Sequence, residues 1–232
     1  MMPDWEKLPD FMRNDSVKPY YKMLKKKKSA LRLKRGLDFF LAFILTAILI
    51  PVMAVLAVWI KLDSRGPVFY RQERITRYGK SYRIFKFRTM VVGADKKGPL
   101  VTKKQDSRIT RCGEILRKLR LDELPQLFNI LRGEMSFVGT RPEVRKYVEQ
   151  YTEEMRATLL LPAGVTSRAS IRFKDEDRLL EERQKETGRS VDEVYVEYIL
   201  PVKMKYNLQY IKHFGFFSDI KVMLDTVLAV IK

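Results

Sequence analysis

The most apolar part of the chain runs from Phe39 to Ile60, where 22 consecutive residues carry no formal charge. A straight helix of this length would be roughly 33 Å long, which is comparable to the hydrocarbon core of a bilayer at about 30 Å. The pattern therefore predicts a membrane helix. Pro51 lies near its middle. Because an internal proline removes a backbone hydrogen bond and crowds the preceding turn, we expect the helix to be broken there.

Both flanks of this segment are basic. Residues 22–35 carry eight Lys or Arg and no acid, and residues 61–90 carry nine Lys or Arg against two acids. Positive charge favours the cytoplasmic side, and no second apolar run of similar length returns the chain across a membrane. We therefore expect a re-entrant helix at residues 36–61, in preference to a spanning helix or a buried helix of a soluble protein. It would separate a basic N-terminal arm, residues 1–35, from a larger domain, residues 62–232.

Downstream of the apolar segment the pattern changes to alternating, aromatic and β-branched residues. Residues 68–75 and 81–88 predict a β-hairpin with its turn at residues 78–80. Lys86 and Arg88 would project from the same face of the second strand, as two phosphate-binding cations would. An ordinary solvated strand face explains the same pattern equally well.

The remaining pattern is mostly helical, with apolar residues recurring every three to four positions. The predicted fold class is α/β, mostly helical with one small β-hairpin, in a monotopic membrane protein whose amphipathic helices could lie in the lipid interface. One polar stretch could close over a substrate or simply be mobile. The expected elements are that loop at 92–108, helices at 111–121, 124–131, 143–161 and 192–211, the last with a break or kink at Pro201, an extended stretch at 165–173, helix and surface loop at 174–190, and a last helix capped by Ser218.

Two adjacent carboxylates, Asp122 and Glu123, lie between leucines in a stretch rich in Lys and Arg. They predict a helix start with Asp122 as N-cap and Pro125 in the first turn. Free backbone N–H groups and the helix dipole would keep the carboxylate ionised and would equally favour a phosphate. An ionised Asp among phosphate-binding groups can attack phosphorus, and a neighbouring Glu can handle a proton. A capped amphipathic helix whose acids balance nearby bases is the simpler interpretation of the pair taken alone.

Composition narrows the partners. The chain has 232 residues and 46% apolar content, enough for one core of ordinary size. Its formal net charge of +18 predicts anionic partners: nucleic acid, an anionic membrane surface or phosphorylated substrates. The single cysteine, Cys112, excludes an internal disulfide and fits a reducing compartment. Because His213 is the single histidine, a structural zinc site of the usual kind is also excluded.

Six motifs follow one another along the chain. They are Lys34-Arg35-Gly36-Leu37-Asp38, Gly66-Pro67-Val68-Phe69, Phe85-Lys86-Phe87-Arg88-Thr89-Met90, Asp106-Ser107-Arg108-Ile109-Thr110, Leu121-Asp122-Glu123-Leu124-Pro125-Gln126-Leu127 and Val138-Gly139-Thr140-Arg141-Pro142-Glu143. With these motifs in this order, the chain resembles the bacterial sugar transferases, the monotopic polyprenyl-phosphate phosphoglycosyl transferases, over residues 34–232. It looks like a short member of that family. Several separated motifs in one order make the match specific.

The resemblance implies an activity. The family transfers a sugar-1-phosphate from a nucleotide diphosphate sugar, usually a UDP-sugar, to polyprenyl (undecaprenyl) phosphate, giving polyprenyl-diphosphate-sugar and UMP. This is the initiating step of glycoconjugate assembly. Asp122 would attack the sugar-bearing phosphorus and form a covalent phosphosugar intermediate, with Glu123 as proton acceptor or orienting group. Mg²⁺ would shield the diphosphate, with Asp122 as the best protein ligand.

The resemblance also implies roles for other residues. Pro51 would shape the re-entrant helix, and Pro142 would be structural at the site. The implied location is the cytoplasmic face of the bacterial inner membrane. The implied partners are a UDP-sugar, polyprenyl phosphate and an anionic phospholipid membrane, with a homodimer left open. Four cations would hold phosphate oxygens: Lys86, Arg88, Arg117 and Arg141.

Two other classes of function compete with this one, a membrane-tethered nucleic-acid binder and a non-enzymatic membrane scaffold. The charge and the hairpin rich in Tyr, Phe and Arg suit nucleic acid. No recognised RNA- or DNA-binding motif is present, however, and neither function needs Asp122 and Glu123, so no nucleic-acid partner is expected. The sugar cannot be read from the residues, because contacts to a sugar ring leave no spacing pattern.

Overall fold

A computed structural model describes residues 2–94, 106–173 and 176–231. This part of the chain is mostly helical and contains two separate two-stranded sheets, which confirms the predicted mostly helical fold with a small hairpin. Most of the loop predicted at residues 92–108 lies outside the described residues. The helices are α1 Lys18–Lys26, α2 Lys28–Asp63, α3 Arg111–Lys118, α4 Gln126–Arg132, α5 Arg145–Val148, α6 Arg168–Arg172, α7 Glu176–Thr187, α8 Val191–Val194, α9 Leu200–Lys212 and α10 Phe216–Ile231. The strands are β1 Phe69–Ile75, β2 Ser81–Phe87, β3 Met135–Val138 and β4 Ala163–Thr166.

The long helix α2 has two different faces. On one face, side chains at intervals of three, four or seven residues are buried against the rest of the protein. The other face is apolar and exposed, as Val55 at 69% and Leu62 at 82% exposure illustrate. By length and composition alone, α2 could cross a membrane. Because one face packs against protein and the other exposes apolar side chains, α2 is not a helix enclosed on all sides by a soluble core. The buried positions are Asp38, Ala42, Thr46, Met53, Leu56 and Ile60.

Helix α2 continues through Pro51 without interruption, contrary to the predicted break in the helix. Buried residues on both sides of the proline, Thr46 and Met53, hold the two halves against the same globular body. A proline inside a helix costs about 3 kcal/mol. We infer that the packing of the two flanking halves offsets this cost.

Both ends of α2 are tied to the globular body by polar contacts. Near its start, Lys34 Nζ donates to Asp219 Oδ2 of α10 at 2.6 Å, and Asp38 Oδ1 accepts from the backbone N–H of Phe137 at 3.3 Å. Near its end, Asp63 Oδ2 accepts from the backbone N–H of Cys112 at 3.3 Å. The two basic flanks of the apolar segment therefore meet the same body.

Arg88 also holds the end of α2. Its guanidinium is buried and donates to the backbone carbonyls of Ile60 at 3.2 Å and Ser64 at 2.7 Å, and to that of Arg65. Carbonyls in the last turn of a helix have no partner within the helix. Arg88 supplies partners there and so stabilises the end of α2. Its guanidinium is engaged by these carbonyls, and its role as a phosphate-binding cation stays a prediction.

The predicted hairpin is confirmed. Strands β1 and β2 pair antiparallel, with Phe69 opposite Phe87 and Ile75 opposite Ser81. On β2, Tyr82 and Ile84 are buried in an apolar cluster with α4. Lys86 lies on the same face, because alternate residues of a strand share a face. The hairpin therefore turns one lysine toward the start of α4.

A second strand pair, absent from the sequence predictions, is parallel. Strand β3 pairs with β4, with Met135 opposite Ala163. Beside this pair, the backbone at Gly139 lies very close to the backbone at Gly164. A Cβ atom built on Gly164 would lie 2.2 Å from the backbone nitrogen of Gly139, so that only glycine fits. This close approach sets the path of the chain immediately before Arg141.

Two predicted elements are corrected by this arrangement. The helix expected at residues 143–161 is limited to α5 and a 3₁₀ turn at Met155–Leu160. The extended stretch expected at 165–173 is the end of β4 followed by α6. A four-residue strand is too short to show alternation, and its partner is remote in sequence.

The N-terminal region is part of the fold. Leu8, Met12, Val17 and Leu24 are buried in the main core, which also includes residues of α9 and α10. Residues 1–35 were predicted as a basic arm, but their described part packs through α1 and the turns before it. Most of its lysines, such as Lys22 and Lys26, are exposed, whereas Lys34 is nearly buried in its ion pair with Asp219.

Candidate active site

The two carboxylates lie in the connection between α3 and α4. Arg120 adopts a left-handed backbone conformation, φ 56° and ψ 19°, and Leu121–Glu123 form a 3₁₀ turn before α4. Pro125, rather than Asp122, is the residue that precedes α4, so the predicted N-cap role of Asp122 is wrong. Positive φ is uncommon for a residue other than glycine. The turn therefore uses a strained residue to point the carboxylates inward.

Two cations from distant parts of the chain meet this pair. Lys86 Nζ lies 2.9 Å from Glu123 Oε1 and 3.8 Å from Asp122 Oδ2. Arg141 Nη2 donates to the same Glu123 oxygen at 2.8 Å. The structure thus brings together Asp122, Glu123, Lys86 and Arg141, all of which the sequence had nominated.

The other nominated residues stand differently. Arg117 lies close enough for its charge to favour ionisation of Asp122. Arg88 is occupied at the end of α2, as described above. Pro51 is exposed on α2. The carbonyl of Pro142 accepts from Arg74 Nη1 at 3.2 Å, which holds the segment next to Arg141.

Asn129 positions Lys86 and was missed by the sequence reasoning. Its fully buried amide donates to the carbonyl of Arg83 at 3.1 Å and to Glu134 Oε2 at 2.6 Å, and its Oδ1 accepts from the backbone N–H of Phe85 at 2.8 Å. These bonds tie α4 to β2 next to Lys86. A polar residue inside the apolar stripe of α4 was the available signal.

Glu143 supports Arg141 and was also missed as a site residue. Its buried carboxylate accepts from the hydroxyl of Tyr195 at 2.5 Å and lies 3.4 Å from Lys203 Nζ. Its carbonyl accepts from the backbone N–H of Ile75 at 3.0 Å. The segment that carries Arg141 is therefore fixed to both β1 and the helical side of the protein.

The two carboxylates differ in acidity. Burial opposes ionisation of Glu123, but the charges of Arg141 and Lys86 outweigh it and hold the pKa of Glu123 well below its ordinary value. Burial raises the pKa of Asp122; the charge of Lys86 opposes this effect and the charge of Glu123 adds to it. Neighbouring carboxylates whose environments separate their pKa values are typical of a pair with two chemical roles.

Hydrogen bonding separates the two acids further. Glu123 accepts from both Lys86 and Arg141. Among the described residues, none donates a hydrogen bond to the Asp122 carboxylate, whose nearest cation is Lys86 at 3.8 Å. Asp122 thus has oxygens available to an incoming group, although it is only 8% exposed.

The site is compatible with Mg²⁺ if substrate phosphates supply the ligands that the protein does not. The described residues contain no cluster of three or more His, Cys, Asp or Glu side chains that could hold a metal by themselves. Mg²⁺ is commonly held by one or two carboxylates together with substrate phosphates. Asp122 offers such a carboxylate, so the site fits a Mg²⁺ ion that arrives with a diphosphate.

A cavity of about 560 Å³ opens beside the pair. Its charged end includes Glu123 and Arg141, and its walls reach α2 and α10. Pockets of roughly 300–1,000 Å³ are typical of small-molecule sites. The site therefore combines a buried acid pair, fixed cations and room for a ligand.

Comparison with known proteins identifies the class. The family described as bacterial sugar transferase matches residues 29–232. This match spans most of the chain, so the chain belongs to the bacterial sugar transferase family and is a transferase. The resemblance inferred from the six motifs is confirmed.

Curated relatives bear names of one kind. A Bacillus subtilis protein, provisionally named an undecaprenyl-phosphate N-acetylgalactosaminyl 1-phosphate transferase, is 40% identical over 152 residues, covering 65% of this chain and 85% of that protein. The UDP-N-acetylgalactosamine-undecaprenyl-phosphate N-acetylgalactosaminephosphotransferase of Aeromonas hydrophila is 33% identical over 198 residues, covering 84% and 43%. The UDP-glucose:undecaprenyl-phosphate glucose-1-phosphate transferase of Escherichia coli K12 is 34% identical over 199 residues, covering 84% and 39%. The chain thus spans most of the first relative and less than half of the other two.

Proposed function

We propose that this protein transfers a sugar-1-phosphate from a UDP-sugar to polyprenyl (undecaprenyl) phosphate, producing polyprenyl-diphosphate-sugar and UMP and so initiating glycoconjugate assembly. The observation that carries the proposal is the arrangement of the acid pair. Asp122 is buried with its oxygens available, beside a glutamate that is already neutralised by Lys86 and Arg141. Such a site is suited to attack on a phosphorus atom that carries several negative charges.

In the first step, an Asp122 oxygen attacks the phosphorus that bears the sugar. A bond forms between Asp122 and phosphorus, the bond from phosphorus to the UMP oxygen breaks, and UMP leaves. Lys86 and Arg141 stabilise the charge that develops on the phosphate oxygens. Mg²⁺, when bound through Asp122 and the diphosphate, would supply further charge neutralisation to the leaving group.

In the second step, an oxygen of the polyprenyl phosphate attacks the phosphorus of the covalent intermediate. The bond between phosphorus and Asp122 breaks, and a diphosphate forms between lipid and sugar. A phosphate monoester has its second pKa near 6, so the acceptor is largely a dianion at neutral pH. It therefore needs no base, and Glu123, whose pKa is low, serves as an orienting group that holds Lys86 and Arg141 in place.

The choice of Asp122 as the nucleophile follows from its environment. Asp122, whose pKa is raised, is the more basic of the two carboxylates and is therefore the stronger nucleophile once it is ionised. Glu123 is committed to two cations and would have to leave both to attack. This assignment gives the two adjacent acids separate functions.

The pH dependence tests that assignment. Asp122 must be ionised to attack. Because burial raises its pKa, activity should fall on the acid side at a pH above the ordinary pKa of an Asp. Lys86→Gln removes a charge that favours ionisation, so the acid limb of kcat/KM for the UDP-sugar should move to higher pH. The exposed Lys80 of the same hairpin provides the control, since Lys80→Gln should leave the limb in place. A limb that moves to lower pH in Lys86→Gln would contradict the assignment.

We further propose that the protein lies on the cytoplasmic face of the bacterial inner membrane, with both ends of the uninterrupted helix α2 on that face. The supporting observation is that both ends of α2 contact the same globular body, through Lys34 and Asp63. The helix α10 adds exposed apolar residues, such as Phe217 and Leu224, that suit the lipid interface. The cation-rich surface favours anionic headgroups.

Cysteine labelling tests this topology. The native Cys112 is buried, so Leu33→Cys and Leu62→Cys, both at exposed positions near the ends of the apolar segment, introduce the reactive thiols. We expect an impermeant maleimide to label both from the same side of sealed vesicles, with the unaltered protein as the unlabelled control. Labelling from opposite sides would establish a spanning helix.

The function itself is tested by release of UMP. The purified protein, with Mg²⁺ and polyprenyl phosphate, is supplied with a panel of UDP-sugars that begins with UDP-N-acetylgalactosamine and UDP-glucose, the sugars in the names of the relatives. We expect UMP release with at least one donor and a dependence on polyprenyl phosphate for sustained turnover. Absence of UMP with every donor would reject the proposed function.

A further inference from the structure

We propose that the cavity beside Glu123 is the groove for the lipid acceptor, holding its phosphate at one end and the first part of its prenyl tail along the other. This inference rests on the proposed function and adds the location of the second substrate. It commits the groove to polyprenyl phosphate rather than to the nucleotide sugar. The polar end, the apolar wall and the position of the groove relative to the acid pair carry it.

The charged end of the groove favours a phosphate. Lys118, Arg120 and Arg141 line it against a single acid, Glu123. Arg120 is exposed and holds its left-handed backbone immediately before the acid pair. Strained residues of this kind are retained where the surrounding structure uses them. Three cations against one carboxylate give this end a net positive charge.

The wall of the groove favours a hydrocarbon. Apolar residues of α2 and of the globular body line it together: Leu45, Leu49, Leu127, Val165 and Ile171. The lining also includes three hydroxyl groups, but these are hydrogen-bonded within the protein: those of Thr166, Ser170 and Thr226. Hydroxyl groups of a sugar would therefore lose water in this part of the groove and find few partners, which is costly. A prenyl chain buries apolar surface there instead.

The groove opens toward the lipid-suited surface. Leu45 is 37% exposed, and Ile48, on the next turn of the same helix, is 64% exposed. A tail that leaves the groove along α2 therefore meets a continuous apolar face. A cavity of about 560 Å³ holds a phosphate and only the beginning of a long tail, and the remainder would lie in the bilayer.

The groove lies on one side of the acid pair. Glu123 and Arg141 line it, whereas Asp122 and Lys86 are not among the described residues that do so. The acceptor phosphate would thus approach from the side of Glu123. The nucleotide would occupy the side of Lys86, and UMP could leave without crossing the lipid.

Kinetics with two acceptors test the groove. Ala229 lines it from α10, and Ala229→Phe should raise the KM for both full-length polyprenyl phosphate and the short geranyl phosphate by about tenfold, because both place their first isoprene units in the groove, while the KM for the UDP-sugar should not change. Arg120→Gly removes a cation and suits the positive φ, so it should raise the KM for both acceptors. The adjacent Leu228 is 58% exposed and does not line the groove, so Leu228→Phe is the matched control. An unchanged KM for both acceptors in Ala229→Phe, or an equal rise in the KM for the UDP-sugar, would overturn the proposal.

A binding measurement decides the matter without turnover. A polyprenyl phosphate with a diazirine on its first isoprene units is photolysed with the full-length protein, and the labelled peptides are identified by mass spectrometry. We expect labelling of the segments around Leu45 and Ala229, prevented by unlabelled polyprenyl phosphate but not by phosphatidylglycerol. Labelling elsewhere, or equal protection by phosphatidylglycerol, would overturn the groove. Absence of UMP release from every donor would instead reject the proposed function, while the photolabelling result would still stand.

Discussion

Asp122→Asn is expected to abolish turnover, with UMP release reduced by about 10³-fold or more, because the amide cannot form the bond to phosphorus. The substitution keeps the size of the side chain and removes only its charge and nucleophilicity. The covalent phosphosugar adduct should also be absent when the protein is incubated with a UDP-sugar and examined by intact mass. The exposed Asp10 offers a matched control, since Asp10→Asn should retain activity. Wild-type turnover in Asp122→Asn would eliminate Asp122 as the nucleophile.

The stability of the same variant separates a chemical role from a structural one. Because burial raises the pKa of Asp122, folding favours its neutral form. That contribution is complete below the unfolded pKa and is lost as the pH rises through the folded pKa. At neutral pH the always-neutral Asn should therefore unfold at the same or a higher temperature than wild type, and the difference should fade on acidification. A clear fall in Tm at neutral pH would indicate that the ionised Asp122 stabilises the fold.

Arg141→Gln is expected to lower kcat/KM by about 10²–10³-fold, the range found when one preorganised donor to a developing charge is removed. Arg141 is held by the segment that follows β3, and its charge keeps the pKa of Glu123 low. Its loss leaves Lys86 as the single cation bound to Glu123, so the ion pair between these two residues should become stronger. The substrate phosphates would then lose the contact to Arg141, and Lys86 would be less available to them because Glu123 binds it more strongly.

The control for Arg141→Gln is a nearby arginine with a different environment. Arg145 is largely exposed, and its ion pair with Glu73 at 3.5 Å joins two exposed side chains. Exposed pairs of this kind contribute little, so Arg145→Gln should keep wild-type kcat/KM. Equal losses in the two variants would show that the effect is one of general surface charge.

Several features were predictable because they depend on residues close together in the chain. The hairpin followed from alternation in two short segments, and its turn from Tyr78-Gly79-Lys80. The long helix followed from an uncharged run. The pair Asp122 and Glu123 was visible as two acids in a basic stretch, although the turn that holds them differs from the predicted cap.

Other features depend on contacts between remote residues, which a local pattern does not report. The parallel pairing of β3 with β4 joins segments more than twenty residues apart and needs Gly139 and Gly164 to pass at close range. The continuity of α2 through Pro51 depends on packing on both of its sides. Asn129 acts through bonds to a strand that precedes it by more than forty residues.

The amino-acid sequence by itself determined which chemical groups are present: an apolar helix with basic flanks, an acid pair and a set of candidate cations. It could not rank those cations, because Arg88 and Arg141 belong to equally distinctive motifs. Only the tertiary structure decided that Arg141 and Lys86 reach Glu123 while Arg88 satisfies the carbonyls at the end of α2. The reason is physical: an ion pair or a cap depends on a separation of a few ångströms, and that separation is set by how helices and strands from distant parts of the chain pack together.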